Sequence, residues 1–141
     1  QIHAAEKGNS INEKYIENYK QDKFTDEADL DFLMYDLDAP KMLERLVNIS
    51  NTILLASNPC IEVWFLLHFK NQTSNIDSKE CIRQIDNRCK GYQKGTIAEK
   101  LFEKLNETED KAISRAKSLL DFDNPSSTVY LLIEKLIEFK K

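Results

Sequence analysis

The stretch that most limits what this chain can fold into lies between residues 30 and 56. Leu30-Asp31-Phe32-Leu33-Met34-Tyr35 is a short apolar run that ends at Asp36, Asp38 and Pro40, the pattern of a strand opening into a loop. Pro40 suits the first turn of a helix, and Lys41, Met42, Leu43, Leu46 and Val47 follow at helical spacing. Thr52-Ile53-Leu54-Leu55-Ala56 then reads as another strand. Strand, helix and strand within about 28 residues make a βαβ unit, whose right-handed crossover sets the two strands parallel. Their carboxyl ends therefore share one edge with Asp36, Asp38 and the loop Ser57-Asn58-Pro59. The near-continuous apolar run suits a strand covered on both faces, although so short a run also fits a buried helical turn.

Elsewhere the pattern is mainly helical. Residues 1 to 8 read as the end of a strand running into a Gly turn, and Ser10 as the N-cap of a helix carrying Ile11, Tyr15, Ile16 and Tyr19. The segment Lys20 to Ala28 is polar. From Cys60 onward Ile61, Trp64, Phe65 and His68 fall on one helical face. Asp77-x-x-Glu80 resembles a capping box, opening a helix through Cys81, Ile82 and Ile85 that stops near Gly91. Ile97, Leu101 and Leu105 mark another helix, and Ala112, Ile113, Ala116 and Leu119 one over Glu109 to Leu120. Asn124-Pro125-Ser126 separates these from a last helix with Val129, Leu132, Ile133, Leu136 and Ile137. The expected architecture is α/β: a small, mostly parallel sheet flanked by helices, with a helix-rich C-terminal half, in one domain over residues 1–141.

A length of 141 residues is enough for one hydrophobic core, and 41% hydrophobic with 31% charged residues is the balance of a folded chain. A net charge of -4 repels phosphate overall, so any nucleic-acid contact requires a local basic surface. Cys60, Cys81 and Cys89 show no zinc spacing and cannot all pair within one chain, which suits reduced thiols in the cytoplasm. The longest apolar run, Val63 to Leu67, is far short of the ~20 residues of a membrane helix. The chain starts at Gln1 without a signal sequence, and is read as a piece of a longer polypeptide.

Two carboxylates at i and i+2 where a buried strand opens can share a hard cation, so Asp36 and Asp38 are the first candidates for a Mg²⁺ (or Mn²⁺) site. Ordinary turn chemistry, with Asp36 capping the following helix, accounts for the same residues. Glu62, in the first turn after Pro59, lies on the same edge and would supply a third carboxylate; the helix dipole alone also favours an acid there. His68 is roughly 120° out of phase with Glu62 on that helix and reads as a core-edge histidine, with proton shuttling as the alternative. Lys90-Gly91-Tyr92-Gln93-Lys94-Gly95 is a basic loop with an aromatic, suited to phosphates or a stacked base, which Arg115 and Lys117 would extend if their helix packs beside it. The chain contains neither a Gly-rich phosphate loop nor a G-x-S-x-G motif.

The block Ser57-Asn58-Pro59-Cys60-Ile61-Glu62-Val63-Trp64-Phe65-Leu66-Leu67-His68-Phe69 resembles the signature of the RloB-like proteins, close to S-N-P-C-F-E-L-W-x-L-L-H-F. The resemblance extends back to Tyr35-Asp36-Leu37-Asp38 and forward to Gly91-Tyr92-x-Lys94 and Asn124-Pro125-Ser126-Ser127-Thr128. RloB-like proteins in turn resemble the Toprim superfamily, an α/β fold of enzymes that cut or rejoin phosphodiesters with Mg²⁺. What the resemblance implies is a nuclease-like site acting on nucleic acid, with Asp36 and Asp38 as the D-x-D that holds the metal. A glutamate from a first strand would complete it and is expected upstream of Gln1, since Glu6 is out of place for that role. It also implies a phage-defence or restriction-linked setting and an ABC-type ATPase partner. A non-catalytic sensor or assembly module that uses Tyr92, Lys94 and the last helix to bind such a partner is the alternative.

Overall fold

A computed structural model of the chain describes residues 2–23 and 29–140. The helix α1 covers Glu13–Asp22. Its cap is Asn12 rather than Ser10: the Asn12 side chain accepts the Tyr15 N–H at 2.9 Å. Ile11, just ahead of the cap, is buried and shares an apolar cluster with Ile16, so a hydrophobic staple decides where the helix starts. Residues 2 to 7 form no strand. They lie exposed along the surface, tied down by side chains such as Tyr35, whose hydroxyl donates to the Lys7 carbonyl at 2.7 Å. Part of the polar stretch assigned to Lys20 to Ala28 lies outside the described residues.

The βαβ unit is present. Strand β1 (Phe32–Asp36) leads through helix α2 (Met42–Val47) to strand β2 (Ile53–Asn58), and the two strands pair in parallel, with Asp36 opposite Ser57. Helix α2 begins two residues after Pro40, behind Lys41, which stands in the left-handed region at φ 61°. After β2 come α3 (Glu62–Leu66), α4 (Ser78–Arg88), α5 (Glu99–Glu107) and α6 (Glu109–Lys117). Asp77 caps α4 by accepting the Glu80 N–H at 2.8 Å, as the capping-box spacing predicts.

A third strand, β3 (Ser126–Ser127), precedes helix α7 (Tyr130–Phe139). It pairs antiparallel with β2, so the sheet is mixed, with order β1-β2-β3, rather than mostly parallel. The α/β class holds. Buried hydroxyls carry the extra strand where apolar side chains are absent. Thr128 donates to the Leu54 carbonyl at 2.8 Å and accepts from the Ala56 N–H at 2.9 Å, while Ser57 and Ser127 hydroxyls meet at 2.9 Å.

Helix α3 sits at the centre, packed against β2, β3, α4 and α6. All five of its residues are buried, so the helix is enclosed on every side instead of presenting one apolar face. The main apolar cluster surrounds it with Ile76, Cys81, Ile85, Leu101, Ala112 and Ala116. All three cysteines are buried and free. A smaller cluster joins Ile11, Leu33, Met42, Leu46 and Ile49 beneath α1 and α2. Among the described residues no helix is long and apolar enough to cross a membrane.

Candidate functional site

The carboxyl edge of the parallel pair and the start of α3 meet at one point. Asp36 is the last residue of β1, and its Oδ1 accepts the Ile61 N–H at 2.8 Å, bridging β1 to the entry of α3. Glu62, one residue on, is the first residue of α3 and fully buried. A buried carboxylate needs charge and hydrogen-bond partners. Glu62 has both: the Lys94 ammonium lies 3.0 Å from each carboxylate oxygen, and the Tyr92 hydroxyl donates to Oε1 at 3.0 Å. The same ammonium reaches Asp36 Oδ2 at 3.2 Å. Two carboxylates from elements 26 positions apart in sequence therefore converge on a single cation position.

Lys94 arrives on a loop that leaves α4 and contains Gly91 and Gly95, both at φ 86°. That left-handed backbone favours glycine and lets the loop turn back over α3. Asp86 accepts the Gly91 N–H at 2.9 Å and anchors the turn. The Lys94 side chain is 51% exposed although Glu62 is not, so the ammonium closes the buried carboxylate off from solvent.

The electrostatics follow from this geometry. Burial pushes the Asp36 carboxyl above its usual range and Glu62 adds to the rise, while Lys94 and the Ile61 N–H oppose it. Burial disfavours the charge on Lys94, but its bond to Glu62 and the charges of Asp36 and Glu62 outweigh burial and raise its pKa. Burial, followed by the neighbouring Glu62, pushes the Tyr92 phenol up, so at neutral pH it stays a hydrogen-bond donor.

The other sequence candidates separate. Asp38 is exposed and accepts from the Ser78 hydroxyl at 3.2 Å, on a groove that also holds Asn58, Asp77 and Asn124. Lys90 is exposed and takes no part in the carboxylate cluster. His68, expected at the edge of the core, is buried beyond the other end of α3, its Nδ1 bonded to the Trp64 carbonyl at 2.8 Å and its ring edge-on to Trp64. Burial is the main cause holding its pKa below the usual histidine value. Lys117 pairs with Glu134 and Arg115 donates to the Leu67 carbonyl, so neither extends the 90–95 loop.

Asp36 Oδ2 and both Glu62 oxygens surround one point, and Mg²⁺ takes one or two carboxylates with water completing its shell. This donor pair fits a hard divalent cation once Lys94 swings aside. Among the described residues, no cluster of three or more His, Cys, Asp or Glu side chains is arranged to hold a metal. The structure brings Asp36 and Glu62 together around the Lys94 ammonium, while Asp38 faces the neighbouring groove with Ser78. Lys94 as the partner shared by the two acids escaped sequence reasoning, which singled it out only as part of a basic loop and of the Gly91-Tyr92-x-Lys94 resemblance.

Comparison with curated proteins and with solved structures returned no match. Residues 2–136 match the sequence family described as RloB-like protein. The match runs from the exposed N-terminal segment through the Asp36–Glu62 cluster into α7, and the chain belongs to the RloB-like protein family.

Proposed function

We propose that the chain is a Mg²⁺-dependent nuclease-like domain acting on phosphodiesters of nucleic acid. The supporting observation is the convergence of Asp36 and Glu62 on one cation position at the carboxyl edge of a parallel strand pair. Ligands of open α/β sheets bind at such edges. Magnesium bound there would polarise a phosphoryl oxygen and ease deprotonation of an attacking water.

The chain's own groups prepare that position. The Ile61 N–H holds one Asp36 oxygen and leaves the other aimed at the cation. Tyr92 orients Glu62 in the same way from the loop side. Lys94 keeps the two like charges together in the resting protein, and when displaced it stands beside the site as a free ammonium, a partner for phosphate. In this reading Asp38, exposed two residues beyond Asp36, would act through water. The setting that accompanies this reading is a cytoplasmic phage-defence or restriction-linked system with an ABC-type ATPase as partner.

The test is cleavage of single-stranded DNA, duplex DNA and RNA with Mg²⁺ or Mn²⁺ against an EDTA control. Asp36→Asn and Glu62→Gln are each expected to lower the rate by roughly 100-fold or more, the range for losing a group that stabilises transition-state charge. Equal cleavage by the wild type and both variants would sink the assignment.

A further inference from the structure

Basic side chains from three helices gather beyond the end of α3 remote from Glu62. The Arg88 guanidinium, at the end of α4, lies 6.0 Å from the centre of the Phe69 ring. The Lys104 ammonium, on α5, lies 5.3 Å from the same ring, so the two cations are no further apart than those distances combined. Arg115, on α6, donates from Nη1 to the Leu67 carbonyl at 2.6 Å, and both Arg115 and Lys104 act electrostatically on His68. An open groove of about 430 Å³ continues along α6, lined by Asn71, Asp110, Lys111, Ser114, Arg115 and Ser118.

What distinguishes these cations is that they cluster, since among the described residues Lys14, Lys79 and Lys90 also lack a carboxylate partner. Lys20, Arg83, Lys94, Lys117 and Lys135 each pair with a carboxylate. Among the described residues, Arg88, Lys104, Lys111 and Arg115 pair with none. The carbonyl end of α3 accounts for one donor of Arg115, and the Gln84 carbonyl for one of Arg88. A guanidinium carries five N–H donors and an ammonium three, so most of their donors are without a protein acceptor among the described residues. Asp110 is the one acid on the groove. In a chain of net charge -4, unpaired cations clustered at one place make the local positive field that a polyanion requires.

We propose that Arg88, Lys104, Arg115 and Lys111 form a docking track for the phosphodiester backbone of a nucleic-acid strand, with the Ser114 hydroxyl bonding a phosphate oxygen. The choice of partner rests on the nuclease reading above. Arg115 reaches the carbonyl of Leu67, so the track lies past the end of α3 opposite to Glu62.

The test is fluorescence anisotropy of the full 141-residue chain with fluorescein-labelled single-stranded DNA and RNA, in EDTA so that cleavage plays no part. The wild type is expected to bind, with affinity falling as salt rises. Lys104→Gln with Lys111→Gln is expected to weaken binding about tenfold and to flatten the logarithmic salt slope by about 1.4, or 0.7 per cation. Lys14→Gln with Lys79→Gln removes the same charge from exposed positions on α1 and α4 and should leave affinity within twofold. Thermal melts verify that each variant is folded. Absence of binding by the wild type, or equal loss in both double variants, overturns the track. So does binding to vesicles containing phosphatidylserine without binding to either oligonucleotide. Cleavage with Mg²⁺ is scored separately: binding that survives without cleavage defeats the nuclease reading alone, and cleavage that is indifferent to Lys104 and Lys111 defeats the track alone.

Discussion

The two ends of α3 treat charge in opposite ways. At its start a fully buried Glu62 shares one lysine with Asp36, so that two carboxylates lie within hydrogen-bond distance of a single ammonium. Beyond its end, Arg88, Lys104 and Arg115 surround Phe69 and His68 without a carboxylate partner. Burial explains the difference. A carboxylate removed from water must be compensated, whereas Arg88 and Lys104 set their charged heads over the Phe69 ring and stay partly exposed, which requires no carboxylate. The first end is built around electrostatic necessity, and the second keeps its charge available.

The largest effect should come from breaking the compensated end. Lys94→Met leaves Glu62 buried beside Asp36 with no cation, and is expected to lower stability by about 2–3 kcal/mol, below the full penalty of a dry ion pair because the ammonium is half exposed. Urea unfolding measures it. Added Mg²⁺ should restore more stability to this variant than to the wild type, since the vacated position then takes the ion; an equal response would argue against a shared cation position.

At the other end, His68→Leu removes the bond to the Trp64 carbonyl and is expected to destabilise by about 1 kcal/mol at neutral pH. Its pH dependence is the sharper reading. The His68 pKa is lowered on folding, so the unfolded chain binds the proton more readily. Its contribution is complete above the unfolded value near 6.5 and is lost as pH falls through the folded value. The leucine variant should lack that loss in melts run from pH 7 down to pH 5.

Asp36 has the reverse sign. Its pKa is raised on folding, so the ionised form favours the unfolded chain, and stability from this group declines as pH climbs from 3.8 through the folded value. Asp36→Asn is therefore expected to be slightly stabilising at pH 7 while lowering the cleavage rate by roughly 100-fold or more, with the gain gone below pH 3.8, where both states are protonated. A destabilised Asp36→Asn at neutral pH would show that its bond with Lys94 outweighs burial. The smallest effect belongs to the uncompensated cations: Lys104→Gln and Lys111→Gln should each change stability by no more than about 0.5 kcal/mol while acting on nucleic-acid binding.

Local pattern was a good guide wherever one element carried its own signal. The βαβ unit was legible because two short apolar runs flank a helical repeat, and α4 because Asp77 and Glu80 stand at capping distance. Strand β3 was not legible: Ser126 and Ser127 have no apolar alternation, and the pair becomes a strand only because β2 offers an edge and Thr128 can bond across it. The start of α1 was misplaced by two residues because burial of Ile11, not the hydroxyl of Ser10, sets it. Asp36 and Glu62 were both identified as acids on one edge. Their convergence on Lys94 was invisible, since Lys94 lies 32 positions beyond Glu62 and reaches it only after α4 has folded back.

By itself, then, the sequence determined the α/β class, the parallel strand pair and the edge to which Asp36 and Glu62 belong, because periodicity and short-range capping act over a few residues. The tertiary structure alone decided which charges meet. It gave Glu62 a lysine and a tyrosine, turned Asp38 toward Ser78, enclosed His68, and drew Arg88, Lys104 and Arg115 from three helices to one end of α3. Such pairings follow from how fully each group is removed from water, and that is a property of packing across the whole chain rather than of any local stretch.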